Sequence, residues 1–155
     1  MKKVLIAYFS ASGVTARAAK ELVQTLDADL YEIRPETPYT AADLDWTDKK
    51  SRSTVEMNDP ACRPAIAEPV KNMAQYDAVF VGFPVWWYVE PRIVDTFLES
   101  YDFSGKTLIP FATSGGSGIA KAEKSLREHC PNADWKKGEL VNSGAAEWAK
   151  RALNA

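Results

Sequence analysis

The sequence predicts an α/β fold: one parallel β-sheet with helices packed on both faces. Three observations lead there. Short, continuously apolar runs recur at Val4–Phe9, Ala78–Phe83 and Thr107–Ala112, the pattern of strands covered on both sides. Helical periodicity stands between them, as in the stripe Val14, Ala18, Leu22 and Leu26, which places apolar side chains on one helix face. The chain is 155 residues long, enough for a single domain with a full core.

The elements follow in order. Val4–Phe9 is the first strand, Ser10–Gly13 breaks it, and a helix begins at Val14. Leu30–Ile33 reads as a short second strand, ended by Pro35 and Pro38, since proline interrupts regular structure. From Pro35 to Pro64 the chain is irregular, with Tyr39, Trp46 and Met57 scattered among polar residues. A short helix is expected near Ala41, and Pro69–Gln75 reads as the end of another. A stretch this long inside a compact domain is usually functional or carries hidden structure. Ala78–Phe83 is the third strand, and Pro84–Glu90 is a loop with two tryptophans. Pro91 suits a first helical turn, where its missing N–H costs nothing, and Val94, Phe97 and Leu98 form that helix's buried face. After a turn at Gly105 come a fourth strand, Thr107–Ala112, and a glycine-rich loop, Thr113–Gly118. Ile119–His129 is helical with Ala122 and Leu126 inward, Leu140-Val141 marks a fifth strand, and Ala145–Leu153 is the last helix. Strands alternating with helices imply parallel pairing, and right-handed crossovers leave few doubly wound strand orders.

Composition narrows the function. The net charge is −2, and the longest basic clusters are pairs such as Lys49-Lys50 and Lys136-Lys137. A nucleic-acid partner would normally demand a basic stripe. Cys62 and Cys130 are far apart, and His129 is the only histidine, too few for a structural zinc site built from clustered Cys and His pairs. Sparse cysteine suits a reducing compartment. Met1-Lys2-Lys3 followed by Val4–Phe9 resembles a signal peptide. However, the apolar run is shorter than the roughly 7–15 residues of a signal core. It reads better as a retained strand in a cytoplasmic protein. No apolar stretch approaches the ~20 residues of a membrane span, so no membrane association is expected.

Parallel strands bring their C-terminal ends to one sheet edge, where ligands bind. Three loops meet there. The first, Ser10-Ala11-Ser12-Gly13-Val14-Thr15, offers hydroxyls, a glycine and a helix N-terminus. Free N–H groups and partial positive charge make that a seat for a phosphate. It lacks the lysine of a Walker loop and the G-x-G-x-x-G of dinucleotide folds. Arg17 is the nearest cation. The second loop, Pro84-Val85-Trp86-Trp87-Tyr88, presents three adjacent aromatics able to stack a flat heterocycle. The third, Thr113-Ser114-Gly115-Gly116-Ser117-Gly118, leaves backbone N–H groups bare for a polar ring edge. Each also has a plain reading: a capped helix start, a hydrophobic plug and a flexible turn. A serine hydrolase is disfavoured because Ile119 follows Gly118, breaking G-x-S-x-G. A phosphoacceptor site fails because Ser10 and Pro84 stand where strand-end carboxylates would be needed.

Taken together, the three loops resemble the flavodoxin family over nearly the whole chain. Tyr8-Phe9-Ser10-x-Ser12-Gly13-x-Thr15 looks like its phosphate loop. Gly82 through Trp87, followed by Pro91 and Phe97-Leu98, is similar to the flavin loop of a short bacterial branch, and Thr113–Gly118 to that branch's third loop. The resemblance implies a five-stranded flavodoxin-like sheet of order 2-1-3-4-5 in a single domain with FMN as cofactor. Ser10, Ser12, Gly13, Val14 and Thr15 would hold the FMN phosphate. Pro84, Val85, Trp86, Trp87 and Tyr88 would flank the ring, and Thr113, Ser114, Gly115, Gly116, Ser117 and Gly118 would contact its polar edge. The implied function is electron transfer through bound flavin, with a redox partner protein or a small-molecule acceptor. The alternative is an NAD(P)H-dependent reductase of quinones or similar acceptors, using the 35–64 loop with Tyr39 or Trp46 as a pocket. Charge departs from the strongly acidic electron carriers. Asp43, Asp45, Asp48, Glu56 and Asp59 are diluted by Lys49, Lys50, Arg52 and Arg63, which weakens electrostatic docking to basic partners. Both a monomer and a homodimer fit the aromatic edge.

Overall fold

A computed structural model describes residues 3–114, 118–142 and 144–153. Strands β1 (Val4–Tyr8), β2 (Asp29–Glu32), β3 (Ala78–Pro84) and β4 (Thr107–Thr113) form its parallel sheet with two short segments, β5 (Asp134–Trp135) and β6 (Glu139–Leu140). The order is β2-β1-β3-β4-β5, and β6 also pairs with β4. Each of β1, β3 and β4 is almost wholly buried, which accounts for their unbroken apolar sequences.

Side-chain alternation splits the core in two. Val4, Ile6 and Tyr8 face helices α1 (Val14–Leu26) and α5 (Ala145–Leu153), with Leu22, Phe80, Phe111 and Trp148. Leu5, Ala7 and Phe9 face the other side, toward Ile93, Val94 and Phe97 of α3 (Arg92–Glu99) and Leu126 of α4 (Ala120–His129). Gly82 is required within the sheet, because a Cβ there would lie 2.1 Å from the Phe111 ring.

Two expectations need correction. The fifth strand was expected at Leu140-Val141. It is instead a split strand, with β5 opposite Thr107 and Leu108 and β6 opposite Phe111 and Ala112. The carbonyls of Lys106, Leu108 and Ala112 all accept from this side, so by the two-residue period Pro110 also faces it. Proline has no N–H to donate, and the ladder opens at that step. Gly138 fills the gap; a Cβ on it would sit 2.4 Å from the Pro110 carbonyl oxygen.

The second correction concerns the link from β2 to β3. No helix forms at Ala41. Thr40 and Asp43 bond each other's backbone N–H through their side chains, at 2.9 and 3.1 Å, as at a helix start. The Leu44 amide closes one turn on the Thr40 carbonyl at 3.2 Å, but the turn does not extend into a helix. The helix of this stretch is α2 (Arg52–Met57), capped by Ser51, whose side chain accepts from the Thr54 amide. Pro69–Gln75 holds only a 3-10 turn at Met73–Gln75. The excursion covers the α3 face with Tyr39, Ile66 and Val70. Arg92 pins it by donating to the carbonyls of Glu56 and Met57, at 3.3 and 2.8 Å. Arg63 grips Glu99 through two bonds of 2.9 and 3.0 Å. No described helix is long and apolar enough to cross a membrane.

Candidate functional site

The C-terminal ends of β1, β3 and β4 release the chain into the three expected loops. A cavity of about 280 Å3 lies among them. Its walls come from every loop: Ser12 and Val14 from the first, Pro84, Val85 and Trp86 from the second, Thr113 and Ser114 from the third. The strand ends converge because β1, β3 and β4 are adjacent and parallel.

The first loop is held in shape by its own side chains. The Ser10 hydroxyl accepts from the amides of Gly13 and Ala16, at 3.1 and 3.2 Å. As an acceptor it shapes the loop, and its own O–H hydrogen stays available to donate to a third group. Gly13 precedes α1 with φ of 93°, a conformation that favours glycine. Val14 and Thr15 then head the helix with N–H groups that have no intrahelical acceptor. Thr15 is buried, and its hydroxyl lies 2.7 Å from that of Thr113. One hydroxyl donates and the other accepts, so the pair keeps one O–H hydrogen for a third group. This contact ties the first loop to the third.

The second loop is a tight hairpin. Trp86 and Val89 exchange backbone bonds of 2.9 and 3.1 Å, and Trp87 and Tyr88 between them have φ of 48° and 74°. Such a turn ordinarily takes Asn-Gly. Two bulky residues in the left-handed region cost about 1–2 kcal/mol each, and strain of this sort clusters at functional sites. The turn leaves Trp87 and Tyr88 exposed, outside the cavity wall, with the Lys121 ammonium 4.8 Å from the Tyr88 ring centre. Trp86 points the other way. It packs edge-on against Phe9 at 5.6 Å and Tyr39 at 5.6 Å. Of the five residues expected to flank a ring, Pro84, Val85 and Trp86 line the cavity, and Trp87 and Tyr88 do not.

Tyr39 brings the long excursion to the site. Its hydroxyl donates to Glu56 at 2.5 Å, and the Arg52 guanidinium lies 3.8 Å from its ring centre. Burial, then the Glu56 bond, pushes its phenol well above the ordinary tyrosine range, so it stays neutral as a rigid backing for Trp86. Trp46 is 74% exposed and lines nothing here.

Sequence reasoning missed Asn142. It follows β6, lines the cavity and brackets Ser114: its Oδ1 accepts from the Ser114 amide at 3.0 Å, and its Nδ2 donates to the Ser114 carbonyl at 2.7 Å. The available signal was a fourth polar loop, Asn142-Ser143-Gly144, after the last strand. Arg17 is exposed on α1 and lines an adjoining groove of about 440 Å3 with Lys20 and Asn142. Gly118 is exposed; Gly115, Gly116 and Ser117 lie outside the described residues.

The edge thus combines an anion seat made of neutral donors with an apolar aromatic wall. Comparison with known proteins agrees in fold and family. A model of the flavodoxin family matches residues 3–153. A solved structure described as a flavoprotein, from Bacteroides eggerthii, shares 49% identity. It covers 99% of this chain and 97% of its own, with a TM-score of 0.96. A second, from Bacteroides uniformis, shares 52% identity over 99% of both chains, with a TM-score of 0.93. A flavoprotein from Lactobacillus acidophilus, solved in complex with FMN, is 21% identical, covers 96% of this chain and 99% of its own, and has a TM-score of 0.78. Among curated proteins nothing matches. The strand order, the phosphate-type loop and the family match over almost the full length agree: this chain belongs to the flavodoxin family.

Proposed function

We propose that this protein binds FMN along the loop edge and carries electrons through it. The observation that carries the reading is the single cavity in which the α1 start and Trp86 both stand. The donor set fits the group. The Val14 and Thr15 amides, the Ser12 hydroxyl and the spare hydrogen of the Thr15–Thr113 pair are neutral donors suited to a phosphate. Pro84, Val85 and Trp86 supply an apolar wall for the ring. Ser114, held by Asn142, offers polar backbone to the ring edge. The fold-mate from Lactobacillus acidophilus that holds FMN supports the same cofactor.

Bound FMN supplies the electron-transfer chemistry, and the protein tunes it. A phosphate seat without lysine leaves the cofactor anionic. Trp86 and its backing of Phe9 and Tyr39 disfavour further negative charge beside them. The last reduction step should therefore be harder than in free FMN. A redox titration of the loaded protein tests this; a potential equal to or above that of free FMN would contradict it. The excursion is packed down as a cover, which favours a carrier over a reductase with an acceptor pocket built from residues 35–64. The carrier reading expects no quinone turnover with NADH or NADPH above that of free FMN, and clear turnover would shift the assignment to a reductase. The partner is a redox protein or a small acceptor, and the setting is the cytoplasm.

A further inference from the structure

Away from the flavin edge, Glu90, Asp95 and His129 meet between the end of the aromatic turn, α3 and α4. Glu90 and Asp95 are fully buried. His129 Nδ1 lies 3.7 Å from Glu90 Oε2 and 3.6 Å from Asp95 Oδ1. Ser125 donates to Glu90 Oε2 at 3.0 Å. With both carboxyls ionised, three oxygens have no hydrogen bond: Glu90 Oε1 and both oxygens of Asp95. Arg92 does not fill the gap. It donates through Nε and Nη2 to the carbonyls of Glu56 and Met57, and its Nη1 stands 3.9 Å from Asp95 Oδ2, beyond hydrogen-bond reach.

Buried carboxylate oxygens without partners are costly, so something should occupy the space between them. A proton is one occupant. Burial, then the neighbouring Asp95, pushes the Glu90 carboxyl up to about 9. A single proton, however, joins Glu90 to one Asp95 oxygen and leaves the other bare. A cation can reach all three. Ligand atoms of Glu90, Asp95 and His129 lie within 4.8 Å of one another. Tetrahedral zinc, with bonds of about 2.0–2.1 Å, needs ligand atoms roughly 3.3 Å apart, and the His129 separations of 3.6 and 3.7 Å are close to that. A cation that displaces the shared proton leaves Glu90 and Asp95 both ionised, two negative charges against one Arg92.

We propose that Glu90, Asp95 and His129 form a binding site for a divalent cation of the zinc type. His129, the one partly exposed member, provides the entrance. Its Nδ1 now donates to the Ser125 carbonyl at 2.8 Å. Ligation through Nδ1 needs the other tautomer, with the proton carried on the partly exposed Nε2 side, and exchanges the Ser125 carbonyl for the metal; the proton released to water is the one on Glu90. The zinc exclusion drawn from the sequence weighed only cysteine and histidine; here carboxylates supply most ligands. The site would join the base of the aromatic turn to α3 and α4.

The test is equilibrium dialysis of the purified full chain against Zn2+, with metal analysis, for the wild type, Asp95→Asn and His129→Gln. One zinc per chain is expected in the wild type, and affinity weaker by ~10-fold or more in each variant. Zinc should also raise the wild-type melting temperature, which keeps the test decisive should a variant not fold. No saturable zinc, no thermal shift, or equal binding by wild type and variants would overturn the site and leave a shared proton as its occupant. FMN titration of the same proteins reads the flavin site separately, because none of these residues lines that cavity.

Discussion

Removing the Thr15–Thr113 contact separates what the two hydroxyls do for the fold from what they do for the ligand. Both side chains are buried, and their oxygens are 2.7 Å apart. Valine has nearly the same shape as threonine, so Thr15→Val or Thr113→Val deletes a hydroxyl without opening a cavity. Each single change leaves the partner hydroxyl buried and unpaired, at a cost of about 1–3 kcal/mol. In a chain of this size that lowers the melting temperature by about 2–4 °C per kcal/mol. The double variant removes both polar groups. It should recover much of the loss, giving a coupling energy of about 1–2 kcal/mol. FMN affinity should follow the opposite course, because the double variant has no hydroxyl left to donate to the phosphate. Urea denaturation of the apoprotein and flavin fluorescence quenching read the two quantities. Additive stability losses would refute the hydroxyl pair. Full FMN affinity in the double variant would refute its role in the phosphate seat.

Other perturbations probe the remaining parts. Asn142→Ala removes both bonds to Ser114, at an exposed position where water replaces them and the net loss is at the low end, about 0.5 kcal/mol; FMN affinity by titration should fall, with the melting temperature changing little. Gly13→Ala forces a side chain into φ of 93°, so the apoprotein should lose about 1–2 kcal/mol in a denaturant curve. Arg63 holds the Glu99 carboxyl below its ordinary range, chiefly through their hydrogen bond. That contribution is present at neutral pH and is lost as pH falls through the lowered pKa. Arg63→Ala should therefore raise the Glu99 pKa by NMR titration and destabilise at pH 7 but not in acid. The pair is partly exposed, with Glu99 at 43%, so the effect should stay under about 1 kcal/mol.

The parts legible in the sequence are those set by local patterns. β1, β3 and β4 are apolar without interruption because both faces are covered, and their loops follow directly from where those runs stop. The parts that were not legible depend on distant partners. The split fifth strand follows from Pro110 on the neighbouring strand, which no local window around Leu140 contains. At Ala41 the helix-start signal is real, since Thr40 and Asp43 exchange capping bonds, but it closes only one turn. Ser10, read as a ligand donor, also accepts from the Gly13 and Ala16 amides; a hydroxyl at a helix start can do both, and no local pattern shows the second use. Asn142 carried no motif of its own. Trp86 and Trp87 are neighbours in sequence, but the left-handed turn sends one to the cavity and the other outward.

The central claim is a phosphate seat and an aromatic wall serving one cofactor. Parallel fluorescence titrations of the apoprotein with FMN and with riboflavin, which lacks the phosphate, test it most directly. Charge-assisted hydrogen bonds are worth about 1.5–3 kcal/mol each, so FMN should saturate at one per chain and bind at least ~10-fold tighter than riboflavin. Absence of saturation with FMN, or equal affinity for the two flavins, would contradict the account.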